Sequence, residues 1–243
     1  MAIDYYNNII YGPLKSRRLG KSLGINMVPH KTCSLDCVYC EAGSTTNLTI
    51  QRDSYIDINT IKNELELNIS KANDIDYITI CGTGEPTLHV DIGELIRHIK
   101  KKYFQYKLCL ITNSTMFTYS NIWKDIVLCD LIMPSLDAVS YDVFQKIDRP
   151  HPQIDLSKII EALTSFRSIY SNLMWLEIFF IEGINDTPAE LALLKEVCLK
   201  ISPDLVQLNS LDRKGIFDWV KKMPANRMLE IKHYFFPLPT IIV

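Results

Sequence analysis

Three cysteines fall within eight residues, Cys33-Ser34-Leu35-Asp36-Cys37-Val38-Tyr39-Cys40, a C-x3-C-x2-C spacing. The chain has seven cysteines among 243 residues, so chance alone gives such a triple about 0.006 times per chain. The spacing therefore carries information. Three thiolates in so short a loop can wrap one metal centre, and soft sulfur ligands select zinc, copper(I) or an iron–sulfur cluster. A closed structural zinc site needs four ligands, and the nearest fourth candidate is His30. A [4Fe–4S] cluster held by only three cysteines leaves one iron open to an external ligand. The remaining cysteines show no such spacing, and Cys109 and Cys198 sit on apolar segments as small hydrophobes.

A loop of this kind needs a scaffold, and the sequence supplies one. Short apolar runs at Leu23 to Val28, Tyr77 to Cys81, Lys107 to Thr112, Leu131 to Ser135, Leu173 to Ile181 and Leu205 to Asn209 predict strands. Amphipathic segments lie between them. Ile61, Leu65 and Ile69 share one helix face with Asp57 or Asn59 as cap, and Ile92, Leu95, Ile96 and Ile99 share another. Ile159, Leu163 and Phe166 mark a third, and Thr187-Pro188-Ala189-Glu190 opens a fourth with capping-box spacing. Strands alternating with helices predict an α/β fold, and six units instead of eight predict a partial (β/α)6 TIM-like barrel with parallel strands. Thr240 to Val243 can add an edge strand.

Active sites in such folds lie at the C-terminal ends of the strands. That rule selects Gly82-Thr83-Gly84-Glu85, Asn113-Ser114, Ser135 with Asp137, Glu182 with Asn185, and Asn209-Ser210. The cysteine loop follows the first strand, so all of these converge on one mouth. Simpler roles exist for several of them: a glycine turn at Gly82 and Gly84, helix caps at Ser135 and Asp137, a turn residue at Asn113.

Composition narrows the class. With 47% apolar residues, 26 Lys plus Arg and 28 Asp plus Glu, the chain is neither disordered nor strongly charged. A net charge of −2 argues against a large nucleic-acid footprint. No apolar run reaches the length of a membrane span. Asp4 and Asn7 stand where a signal peptide would be basic and then apolar, so a cytoplasmic location is expected. One basic segment stands out: Lys15, Arg17, Arg18, Lys21 and Lys31 have no acidic residue between them. It reads either as a solvated loop or as an anion site for a phosphate, a carboxylate or an RNA backbone.

The cysteine motif, with Tyr39 just before its last member, resembles the signature of the radical S-adenosylmethionine (radical SAM) enzymes. Thr83-Gly84-Glu85-Pro86 resembles that superfamily's Gly-Gly-Glu motif, with Thr83 in place of the first glycine. Further segments, Gly12 to Gly20, Gly84 to His89, Pro134 to Ala138 and Asp148 to His151, resemble a subgroup similar to the tRNA wybutosine-synthesising radical enzyme. This chain lacks the second cysteine group of that enzyme. The resemblance implies one domain over residues 1–243, with a core at about 19–210 and a C-terminal helix and short extension over 211–243. It implies a [4Fe–4S] cluster on Cys33, Cys37 and Cys40, with S-adenosyl-L-methionine on the fourth iron. The amino group would be held around Gly82, Thr83, Gly84 and Glu85, and the adenine would lie near Tyr39 and Asn209. Asn113, Ser135 and Asp137 would serve the ribose and carboxylate. Reduction by a flavodoxin or ferredoxin would cleave the cofactor and release a 5′-deoxyadenosyl radical that takes hydrogen from a substrate.

The substrate, a small molecule or a modified nucleoside or tRNA, is not named by these motifs. Candidate substrate or catalytic residues are Glu177, a carboxylate among apolar neighbours that either faces the interior or pairs with Arg or Lys, and Arg149 with His151 in the loop after the fourth strand. Two other functions fit the same features. One is an activase that installs a glycyl radical on a partner protein, the other a non-enzymatic iron–sulfur or zinc module on RNA.

Overall fold

The structure, a computed structural model, describes residues 8–72, 74–211 and 217–243; Asp4 and Asn7 lie outside them. Its strands are β1 (Ile10–Ser16), β2 (Gly20–Ile25), the short β3 (Thr32–Cys33) and β4 (Asn47–Leu48), β5 (Tyr77–Ile80), β6 (Lys107–Thr112), β7 (Leu131–Pro134), β8 (Leu173–Phe179), β9 (Leu205–Asn209) and β10 (Thr240–Ile242). Its helices are α1 (Ile58–Ile69), α2 (Ile92–Lys102), α3 (Trp123–Ile126), α4 (Tyr141–Ile147), α5 (Leu156–Ile169), α6 (Pro188–Ile201) and α7 (Ala225–Tyr234).

The main sheet runs β1-β2-β5-β6-β7-β8-β9-β10. From β2 to β10 every pairing is parallel, and β1 joins antiparallel at one edge. The six central strands are those expected from the apolar runs, in the order of a barrel left open between β1 and β10. Each strand has one face against helices. Leu23, Ile25, Ile78 and Ile80 pack with Ile61, Leu65, Leu95, Ile96 and Ile99 of α1 and α2, all of them buried. Each such side chain contributes roughly 1.5–3 kcal/mol on burial, which outweighs the weak intrinsic propensities of these short segments.

The capping expectations are met at two helices. Asp57 accepts from Thr60 N at 2.8 Å at the start of α1, and Thr187 accepts from Glu190 N at 3.3 Å at the start of α6. Glu190 departs from the capping-box role. Its carboxylate crosses to the β7–α4 loop and accepts from Val139 N at 2.6 Å and Ser140 N at 3.0 Å.

The opposite faces of the strands look into the barrel. There Leu19, Cys109, Leu131 and Met133 form a small separate core with Tyr77, Ile111 and Trp175. Leu19 comes from the β1–β2 turn, so this hairpin plugs the end of the barrel remote from the strands' C-terminal ends.

Candidate active site

The cysteine loop leaves β2 and is fastened from two sides. Its first cysteine lies in β3, which pairs with β4, and Thr49 N donates to Cys33 O at 2.9 Å. On the other side, the segment after α4 lies along it. Asp36 N donates to Asp148 O at 3.0 Å, Val38 N to Ile147 O at 2.9 Å, and His151 N to Ser34 O at 2.9 Å. Arg149 completes this clamp, its Nε donating to Asp36 O at 2.7 Å and its Nη2 pairing with the Asp36 carboxylate at 2.7 Å. Arg149 holds a positive φ of 41°, a conformation that costs a non-glycine residue about 1–3 kcal/mol. The clamp offsets that cost.

The second wall is Gly82 to Glu85, just beyond β5. Lys31 N donates to Thr83 O at 3.0 Å and Glu85 N to Thr32 O at 3.1 Å, so this loop and the cysteine loop are joined by backbone. A Cβ on Gly84 would collide with the Thr32 carbonyl oxygen; the position requires glycine for close approach. Thr83, at the departure from the usual glycine pair, is bonded through its N–H to Asn26 Oδ1 at 3.1 Å. Its buried hydroxyl has no partner among the described residues.

Glu85 is buried, and burial pushes its carboxyl up against opposing hydrogen bonds. Those bonds come from Thr87 N at 3.0 Å, the Thr87 hydroxyl, Thr112 Oγ1 at 2.7 Å and Asn113 N at 2.7 Å. The carboxylate thus ties the end of β6 to the Gly82–Glu85 loop. Asn113 carries the link onward, its Nδ2 lying 2.9 Å from Ser34 Oγ and 3.4 Å from Cys33 Sγ.

Beneath the last cysteine, the ring of Tyr39 stacks on Phe179 with centroids 3.8 Å apart and an interplanar angle of 9°. Its hydroxyl donates to Asp137, which also accepts from Phe179 N at 2.7 Å. Asp137 and Asp148 are buried side by side. Burial pushes Asp137 up to about 7 and Asp148 well above the ordinary carboxylate range, with Asp137's charge raising Asp148 further. Burial and mutual repulsion thus favour a proton shared by the pair, beside the Cys37 thiol, whose Sγ is 3.3 Å from Asp148 Oδ1.

Cys33, Cys37 and Cys40 all line one cavity of about 220 Å³, together with Tyr39, Gly82 to Glu85, Asn113, Ser135 and Glu177. Among the described residues no three His, Cys, Asp or Glu side chains converge on a single metal ion. The cysteines surround a volume, and His30, the fourth zinc candidate, is exposed and absent from the lining. Lys31 enters the same cavity. It is buried, and its ammonium donates to Cys40 Sγ at 3.1 Å. As thiols, Cys33 and Cys37 resist ionisation: burial pushes Cys33 up to about 12 and Cys37 well upward. Three thiols, a buried cation and the orphan Thr83 hydroxyl fit an anionic, thiolate-bound group with a polar ligand beside it.

Other sequence candidates lie elsewhere. Arg149 and His151 clamp the cysteine loop from outside the cavity. Asn209, at the end of β9, accepts from Ser210 N at 2.9 Å and is not in the lining. Asp137 is not in the lining and reaches the site through Tyr39 and through Asp148. Glu177, by contrast, does line the cavity; it faces the interior and is paired there with Arg18. Lys31 was visible in the sequence only as part of a basic run; its place beside Cys40 depends on the turn at Lys31, whose φ is 59°.

A family model described as the Radical SAM superfamily matches residues 27–194. The protein named GTPase Obg from Brachyspira hyodysenteriae is 38% identical over 226 residues, which are 93% of this chain and 33% of that protein. A UPF0026 protein from Methanocaldococcus jannaschii is 35% identical over 204 residues, 83% of this chain and 63% of that one. The chain thus spans a third and just under two thirds of the length of these relatives. A solved structure of TYW1 with a lysine–pyruvate adduct bound superposes with a TM-score of 0.66 at 14% identity, covering 88% of this chain and 72% of that one; it shares the fold.

Proposed function

The chain belongs to the radical SAM superfamily, and from that premise we propose that Cys33, Cys37 and Cys40 hold three irons of a [4Fe–4S] cluster, with S-adenosylmethionine on the fourth. One observation carries the assignment. The three cysteines share a single cavity with the Gly82–Glu85 loop, Asn113 and Ser135 at the C-terminal ends of the strands. When bound, the cluster supplies the electron that cleaves the sulfonium and yields a 5′-deoxyadenosyl radical.

The protein's part is placement. The backbone of Gly82 to Gly84 and the unpaired Thr83 hydroxyl offer polar contacts for the methionine moiety. Glu85 acts by fixing that loop to β6, since its oxygens are already taken by Thr87, Thr112 and Asn113. Lys31 balances the negative charge of the thiolates. Tyr39, held by Phe179 and Asp137, presents a rigid wall near Cys40 for the adenine. Asn113 and Ser135 line the side toward the ribose. The electron comes from a flavodoxin or ferredoxin, and the substrate is a small molecule or modified nucleoside.

Anaerobic reconstitution with iron and sulfide, followed by electron paramagnetic resonance (EPR) of the reduced protein, tests the assignment. A [4Fe–4S] signal that changes on adding S-adenosylmethionine and is absent from Cys37→Ala is expected. A full signal in that variant would remove the cysteines from the ligand set.

A further inference from the structure

The basic segment singled out in the sequence is not accounted for by the cluster cavity. Only Lys31 belongs there. Lys21 lies at the barrel's far end, 3.7 Å from the Asp74 carboxylate. The other three, Lys15, Arg17 and Arg18, line a second chamber of about 480 Å³ between the β1–β2 hairpin and the inner faces of β2, β5 and β6. Cys81 and Ile111 line both chambers, so the two lie side by side across these side chains. A volume of this size holds a small organic ligand.

Its walls are of two kinds. Tyr11, Leu14, Leu19 and Ile111 give an apolar side. The ring of Tyr11 lies against Gly24, where a Cβ would strike it, and its hydroxyl is 2.7 Å from Cys81 Sγ. The other side is rich in donors. Arg18 spends one nitrogen, Nη1, on both Glu177 and Gln207 Oε1, the latter at 2.9 Å. Its Nε and Nη2 make no hydrogen bond among the described residues, and Nε2 of the fully buried Gln207 beside it has no partner. Lys15 is exposed and forms no ion pair among the described residues, and Arg17 stands next to it at the rim. Against these, the chamber's lining among the described residues contains a single carboxylate, the exposed Glu41.

We propose that this chamber is the substrate site, and that the substrate is a small molecule with an apolar body and a phosphate or carboxylate group. The inference rests on the radical SAM reading, because the shared Cys81–Ile111 wall is what brings such a molecule next to the cluster cavity. Glu177 and Gln207 anchor the Arg18 guanidinium by one corner and leave its other two nitrogens as a fork, the geometry that grips a carboxylate or phosphate through two parallel bonds. Lys15 and Arg17 attract the anion to the mouth and hold it there. The chamber's apolar side, formed by Tyr11, Leu14, Leu19 and Ile111, favours a small ligand over an RNA backbone, which needs an extended basic surface.

The test is calorimetric titration of the cluster-loaded protein with phenyl phosphate, benzoate and neutral benzyl alcohol. One of the two anions binds saturably and at least about tenfold more tightly than the alcohol, the size of a charge-assisted hydrogen bond. Tighter phenyl phosphate identifies a phosphate substrate, and tighter benzoate a carboxylate one. Arg18→Gln removes the preference. Since that change also unpairs Glu177, the Lys15→Gln/Arg17→Gln double variant on exposed positions is measured alongside and weakens the preferred anion several-fold. The inference is overturned if the three probes bind alike, if both variants bind as the parent does, or if only tRNA binds. An unchanged EPR spectrum in the double variant keeps such a failure separate from any failure of the cluster assignment.

Discussion

At the residue scale, Lys31 and the Asp137–Asp148 pair govern the electrostatics around the cysteines. A buried ammonium 3.1 Å from Cys40 Sγ stabilises negative charge on the sulfur and, more strongly, on the reduced cluster. Lys31→Met should therefore lower the cluster's midpoint potential, by on the order of tens of millivolts, and weaken S-adenosylmethionine binding, while Lys31→Arg keeps most of both. EPR-monitored redox titration reads the first effect; an unchanged potential would remove Lys31 from this role. The carboxyl pair predicts a pH effect with a definite sign. Native Asp137 and Asp148 hold a proton that the unfolded chain releases in the ordinary carboxylate range. Stability contributed by this protonation is present below the ordinary carboxylate range and declines as pH rises, through about 7 for Asp137 and higher still for Asp148. Asp148→Asn keeps a donor toward Asp137 without the titration. Melting curves of the cluster-free protein between pH 5 and 8 should show a decline in the parent that is flattened in the variant. Parallel curves would contradict the shared proton.

At the element scale, the cysteine loop depends on two neighbours, the Gly82–Glu85 loop and the clamp at residues 147–151. Gly84→Ala forces the first contact apart, since the added methyl meets the Thr32 carbonyl. Loss of iron binding with a folded circular dichroism spectrum is the expected outcome, and normal iron content would refute the close-approach requirement. Arg149→Ala loosens the clamp, at a cost of about 1–3 kcal/mol for the lost charged hydrogen bonds. It should speed iron loss to a chelator while the turnover of each remaining cluster holds; a variant with full iron retention and no turnover would return Arg149 to the catalytic candidates. These two contacts also mark what the sequence could and could not reveal. The six central strands were legible because strands buried on both faces read as continuous apolar runs. The cysteine spacing and Gly84-Glu85 were legible because short-range chemistry fixes them. β1 was not: its seven residues include Gly12 and Pro13 and only Ile10 is buried, so it shows neither an apolar run nor a clean alternation. Nor was the clamp, because Arg149 meets Asp36 across 113 positions in a loop-to-loop contact that leaves no periodic trace.

At the scale of the whole molecule, the sheet curls but does not close, and the Arg18–Glu177–Gln207 cluster ties the β1–β2 hairpin to β8 and β9 across the interior. Both charged side chains are largely shielded, at 19% and 16% exposure. Removing one charge by Glu177→Gln leaves the other without its partner and should cost roughly 1–3 kcal/mol in urea unfolding, whereas Arg18→Met/Glu177→Met together cost less than either change alone. Additive losses would mean that the pair does not bridge the barrel. Among the described residues no helix is long and apolar enough to cross a membrane. The proposed cluster lies at the mouth formed by the strands' C-terminal ends, and the most direct measurement is of the cofactor's fate. Reconstituted protein is incubated anaerobically with dithionite and S-adenosylmethionine, and 5′-deoxyadenosine is quantified by mass spectrometry. 5′-Deoxyadenosine well above a no-protein control, with none from Cys37→Ala, is the expected result. Equal amounts from both proteins, or none from a parent whose EPR signal shows the cofactor bound at the cluster, would contradict it.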